Sequence, residues 1–258
     1  MRRLLIAAAV AACCLPIAGA AARQILQKDN VRVSFDGRLA PRALPRERLA
    51  PATVHLDGTV AAVDGSRPPQ LREISVAVNR TGRLSVAGLP TCPAATLQQT
   101  STGRALDLCR RALVGHGHFA ANVDFPDSPL IPAEGTVLVF NSSSRHGPEL
   151  VLHLFGTAPV QAAFVLPLKV SYQSQGAFGT VFSAKIPTLA SDLGYVTDIE
   201  LKIGRTYHYA GKTRSFLSAS CAAPAGFSRA VYRLARVTFT FPGGKRLAGN
   251  LPGDCRVR

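Results

Sequence analysis

Tryptophan is absent from this chain of 258 residues, and methionine occurs once. Without tryptophan the sequence lacks the side chain best suited to stacking on sugar rings, which weakens a carbohydrate-binding reading. Acids are scarce, 15 against 30 lysines and arginines, and most stand beside turns. Nothing in that distribution calls for the paired carboxylates of a glycosidase, although such pairs need not be close in sequence. There is no Walker loop, no glycine-rich dinucleotide fingerprint, no His-Glu-x-x-His and no EF-hand loop. The nucleophile elbow Gly-x-Ser-x-Gly is missing too. No cofactor and no specific nucleic-acid partner are implied. Beyond the first twenty residues no run of 18 apolar residues occurs, so no membrane-spanning helix is expected there.

What is present begins with a leader. Arg2 and Arg3 precede the apolar run Leu4–Ile17, and Ala18-Gly19-Ala20 is a small-x-small cleavage site. This pattern predicts a signal peptide over 1–20 and a mature chain from Ala21, secreted or held at the cell envelope. A lipoprotein anchored at Cys13 is the alternative, because Val10-Ala11-Ala12-Cys13 resembles a lipobox. Against it, the apolar run continues past Cys13.

An exported chain meets an oxidising compartment, so the mature cysteines Cys92, Cys109, Cys221 and Cys255 are expected as two disulfides. Four cysteines allow three connectivities. The pairs nearest in sequence, Cys92–Cys109 and Cys221–Cys255, are the ones expected.

Charge is unevenly distributed. Residues 21–111 hold 14 basic and 7 acidic side chains, residues 112–200 hold 3 and 7, and residues 201–258 hold 11 and 1. Such a balance bears on anionic partners and not on fold. Anionic envelope polymers or lipid head groups are the partners it fits. Lys212, Arg214, Lys245 and Arg246, near hairpin tips, are the candidate contacts.

Residues 21–52 read as a basic, proline-containing arm with at most one short strand, Val31–Phe35. From Thr53 to the end, short alternating segments separated by Gly and Pro turns predict a single β-rich domain, 53–258. A boundary near 127–135 is the place to divide it if there are two. Leu71–Asn79 reads as a strand with 83–87 as its hairpin partner. Thr136–Asn141 and Glu149–Phe155 read as a second hairpin. One helix is expected, about 104–113, capped by Ser101 or Thr102 and ended by Gly115. Ala105, Leu108, Cys109 and Ala112 form its apolar face. The expected fold is all-β, an antiparallel β-sandwich or barrel-like sheet with this one short helix.

Four segments carry a likeness: GSRPPQLREISVAVNRTGRL (65–84), CRRALVGHGHF (109–119), SASCAAPAGF (218–227) and CRVR (255–258). They resemble a family of exported actinobacterial proteins, over most of the mature chain. The family has no assigned activity. The resemblance therefore implies export and a shared fold, and it supplies no mechanism and no site residues.

Two functional classes follow. The first is a non-catalytic binding or structural protein of the envelope or exterior. The second is a hydrolase or metal-dependent enzyme using His116 and His118. On a strand, period-two geometry puts both imidazoles on one face, with Asp124 further along it. Two histidines fall short of the three protein ligands of a catalytic zinc. Ser218-Ala-Ser-Cys221 invites a nucleophile reading, but Cys221 has a disulfide partner in prospect. The first class is favoured because no motif demands chemistry.

Overall fold

The computed structural model describes residues 23–125, 127–158, 161–187 and 194–258. The expected leader, with Cys13, lies outside them. The strands are β1 (Gln24–Lys28), β2 (Val31–Ala40), β3 (Ala43–Leu44), β4 (Ala50–Pro51), β5 (Thr53–Ala62), β6 (Glu73–Asn79), β7 (Gly82–Leu84), β8 (Leu113–Val123) and β9 (Ile131–Ser144). They continue with β10 (Gly147–Gly156), β11 (Ala162–Tyr172), β12 (Phe178–Lys185), β13 (Gly194–Ile203), β14 (Thr206–Tyr209), β15 (Lys212–Ser215), β16 (Leu217–Ala219), β17 (Arg229–Thr240) and β18 (Arg246–Val257). Two helices, α1 (Ala94–Leu97) and α2 (Thr102–Cys109), stand between β7 and β8.

Thirteen strands form one strongly curled, half-barrel sheet in the order β1-β2-β5-β13-β8-β9-β10-β11-β12-β6-β17-β18-β3. Every pairing in it is antiparallel except β18 with β3. The curl brings the two ends of the sheet face to face. Val31, Val33 and Phe35 of β2 pack on Val237 and Phe239 of β17 and on Leu247 and Leu251 of β18. The rings of Phe35 and Phe239 lie 5.5 Å apart. Gly249 permits this approach: a Cβ there would stand 3.0 Å from Phe35 and 3.1 Å from Leu26.

These first strands correct the expected arm. The alternation begun at Val31 continues through Gly37 and Leu39, and Pro41 and Pro45 fall after the strand, where they interrupt nothing. β2 pairs with β5 from Val31 to Ala40, so the segment is part of the sheet. The hairpin expected for Leu71–Asn79 is also corrected. β6 pairs with β12 and β17, whereas β7 pairs with β16. The turn at 80–81 therefore leads the chain off the large sheet.

The middle of the sheet is buried on both faces. Val137, Val139, Leu150, Leu152 and Leu154 point into the curl with Val114, Phe119, Leu201 and Phe216. Leu138, Phe140 and Val151 point outward and are roofed by Leu97, Ala105, Cys109 and Ala112 of the helical segment. That is why Val137–Ser142 is buried throughout and shows no inside-outside alternation. Ser101 caps α2 by accepting from the Arg104 amide, and a 3-10 turn, Arg110–Ala112, ends the helix ahead of the expected stop. Gly115 lies inside β8. Leu108, assigned above to the apolar face, is 44% exposed; Leu97 of α1 fills the place beneath the helices.

Disulfides join Cys92 to Cys109 and Cys221 to Cys255, with Cα separations of 5.8 and 5.7 Å. The first clamps the two helices together on the outer wall. The second ties the segment after β16 to β18, within a small core of Leu44, Ala50, Ala52, Ala219 and Ala223.

Strand register defines two rims. Ala40 pairs with Thr53, Val54 with Ile203, Ile203 with Gly115, Leu113 with Phe140, and Phe178 with Asn79. These residues share one rim. The three-stranded sheet β4-β16-β7 and the hairpin β14-β15 follow from strands ending there, and it is termed the capped rim. The turn between β1 and β2 and the turn between β17 and β18 lie at the opposite rim, where Lys245 reaches Asp29 at 2.7 Å.

Candidate functional site

β8 sets both histidines on the outer wall, exposed to solvent. Their cross-strand neighbours are decided by register. His116 faces Lys202 and Leu138; His118 faces Glu200 and Thr136. Asp124 stands beyond the end of β8 and pairs with Arg67 at 3.5 Å, while the same guanidinium lies over the Tyr195 ring. The strand face thus brings His116 and His118 together and does not bring Asp124 to them. Among the described residues no group of three His, Cys, Asp or Glu is placed to hold a metal ion.

His118 does line an open groove of about 590 Å³ on the outer wall, beneath the start of α2. Ser101, Thr102, Glu134, Thr136 and Asp198 are among the residues that line it. Glu134 and Asp198 both pair with Ala120, from opposite sides of β8. Two strand spacings, about 9.6 Å, therefore separate their backbones. Burial raises the Asp198 carboxyl above the ordinary range; Arg23 opposes that, and Asp57 and Glu200 add to it. Register reveals this pair, which the sequence reading missed because Glu134 and Asp198 lie on strands far apart in the chain.

Cys221 is fully buried and disulfide-bonded, which removes it as a thiol nucleophile.

The four basic candidates do not form one patch. Lys212 and Arg214 belong to β15 at the capped rim. Lys245 and Arg246 are at the opposite rim, with Lys245 engaged by Asp29, whose carboxyl the lysine holds below its ordinary value. Strands of ten or so residues separate the two sets by about 30 Å.

Register instead concentrates positive charge at the capped rim. Its connections, 41–52, 80–112, 145–146, 173–177 and 204–228, carry eleven Arg and Lys against one acid, Glu47, when α2, which lies on the outer wall with Arg104 and Asp107, is left aside. The described connections of the opposite rim carry three, Arg67, Arg72 and Lys245, against four, Asp29, Asp64, Asp124 and Asp127. Hydrogen bonds from Ser66 and Asn30 hold Asp64 at about 2, so it stays charged near neutrality.

Some capped-rim cations are structural. Arg46 donates to the carbonyls of Ala223, Pro224 and Phe227, and Arg205 to those of Arg111 and Leu113. Arg48, Arg83, Arg110, Arg111, Lys212 and Arg214 are exposed.

Compared with protein-family models, with curated proteins and with solved structures, the chain matches none. What stands is a disulfide-stabilised, β-rich domain without an assembled metal or aromatic-cluster site among the described residues. No helix there is long and apolar enough to cross a membrane.

Proposed function

We propose that this is an exported, non-catalytic binding or structural protein of the cell envelope or exterior, and that it recognises anionic material. The observation that carries the reading is the charge asymmetry between the rims: eleven cations against one acid at one, three against four at the other. Export rests on the leader pattern of residues 1–20. The competing hydrolase reading has less behind it, because His116 and His118 face Lys202, Leu138, Glu200 and Thr136, and Asp124 is held by Arg67.

Two measurements test the proposal. Amino-terminal sequencing of protein recovered outside the producing cell should begin at Ala21; a lipid-bearing Cys13 would replace secretion with anchoring. The protein should also be retained on a soluble-polyanion matrix such as polygalacturonate and released by salt, since screening shortens from about 10 Å at 0.1 M to about 3 Å at 1 M. Failure to be retained at 0.1 M removes a soluble anionic polymer as the partner.

A further inference from the structure

The capped rim combines its cations with exposed apolar side chains. Leu49, 41% exposed, follows Arg48 in the connection before β4; Phe227, 64% exposed, stands two residues before Arg229. The two connections are neighbours, because Arg46 bonds the Phe227 carbonyl. The β4-β16-β7 sheet then joins them to Arg83 on β7. The opposite rim also exposes Val63, Phe125 and Leu130, but beside Asp64, Asp124 and Asp127, which an anionic surface repels.

Shape separates two kinds of anionic partner. A linear polyanion touches a strip of a protein surface. Here arginines occur in connections around the rim: 41–52 beside β2 and β5, 80–83 after β6, 110–111 before β8, 145 between β9 and β10, and 205–214 after β13. Such a ring suits a plane. Exposed Leu and Phe among the cations suit a plane with an apolar layer below its charges, which is the arrangement of an anionic lipid surface.

We infer that the capped rim docks end-on against an anionic lipid bilayer, its cations among the head groups and Leu49 and Phe227 entering the interface. This deepens the anionic-partner reading above and rests on it.

Every described strand lies within 24–257. The chain from Ala21 is therefore used, which keeps the apolar leader out of the measurement. Its sedimentation with phosphatidylcholine vesicles is compared with that on vesicles containing phosphatidylglycerol, and its retention on polygalacturonate is read in parallel. Binding is expected only on the anionic vesicles. The variant R48Q/R83Q/K212Q/R214Q should bind them at least a hundredfold more weakly, on the order of fivefold per cation lost. The control K245Q/R246Q, at the other rim, should stay within about twofold of the parent. L49S/F227S should lose roughly tenfold on vesicles yet elute from polygalacturonate at the parent's salt concentration. Circular dichroism confirms that each variant is folded. Vesicle binding untouched in L49S/F227S, or polymer retention without vesicle binding, overturns the bilayer and leaves the anionic-partner reading standing. Equal loss in the control overturns the choice of rim. Absence of binding to both supports ends both readings.

Discussion

His153 shows how one residue can tie the fold to pH. It lies on β10 and points outward, but the segment preceding α2 roofs it and leaves it no exposed surface. Its Nε2 lies 2.9 Å from the Thr100 carbonyl oxygen and 3.1 Å from Thr100 Oγ1. A carbonyl needs a donor, so the proton sits on Nε2. Nδ1 is then left as an acceptor without a protein partner. A second proton would put a charge in this enclosed place. Burial accordingly lowers the His153 pKa, and the bond to the Thr100 backbone offsets only part of that. With the folded value depressed, the unfolded chain binds the proton more readily. The stability this residue contributes is therefore complete above the ordinary imidazole value, about 6.5, and declines as pH falls below it. The melting temperature should drop between pH 7.5 and pH 5, and the drop should be shallower in His153→Phe. Equal slopes in parent and variant would show that His153 is not responsible.

At the scale of elements, the helical segment depends on the Cys92–Cys109 bond. α2 is eight residues long and α1 four, both too short to persist alone in water. They hold because Leu97, Ala105 and Ala112 cover Leu138, Phe140 and Val151, and because the disulfide closes a 17-residue separation. Replacing both cysteines by alanine should reduce unfolding free energy by about 3 kcal/mol in urea titrations. A change under about 1 kcal/mol would mean that packing alone holds the helices down. The strands and α2 were largely legible in the sequence because alternation and capping are local signals. The two bridges were legible from the expected export and from proximity along the chain. Partners across the sheet were not legible: nothing local in Leu71–Asn79 tells that it joins β12 and β17 and leaves 82–84 to β16. Leu108 was misassigned because helical periodicity gives a face and says nothing of where a short helix meets its sheet.

For the whole molecule, register converts a linear charge pattern into a spatial one. The basic first and last thirds of the sequence supply 41–52, 80–111 and 204–228, and strand pairing brings all three to the capped rim. Lys245 and Arg246 stand at the rim opposite Lys212 and Arg214 for the same reason. Hairpin tips look alike in sequence, and only the pairing tells which end of the sheet each occupies. The curl itself rests on the seam between β2 and β18, where Gly249 meets Phe35 and Leu26. Gly249→Leu should overpack this seam and cost about 1–3 kcal/mol, read by thermal or denaturant unfolding. An unchanged midpoint would mean that the seam has room to spare.

That seam also governs the order in which the protein can be completed. Phe35 and Phe239 touch although 204 positions separate them, and the last layer over β2 comes from Leu247 and Leu251. A chain emerging amino-terminus first presents Val31, Val33 and Phe35 early, and the layer over them is complete only when β17 and then β18 have arrived. Contacts of such long range make for slow folding, with an interval in which open strand edges can pair with other chains. Refolding should therefore show fluorescence from a probe at the seam rising last, after the β8–β12 meander has formed. A chain ending before Arg246 should bind hydrophobic dyes and aggregate, because β18 is the closing piece of this sheet.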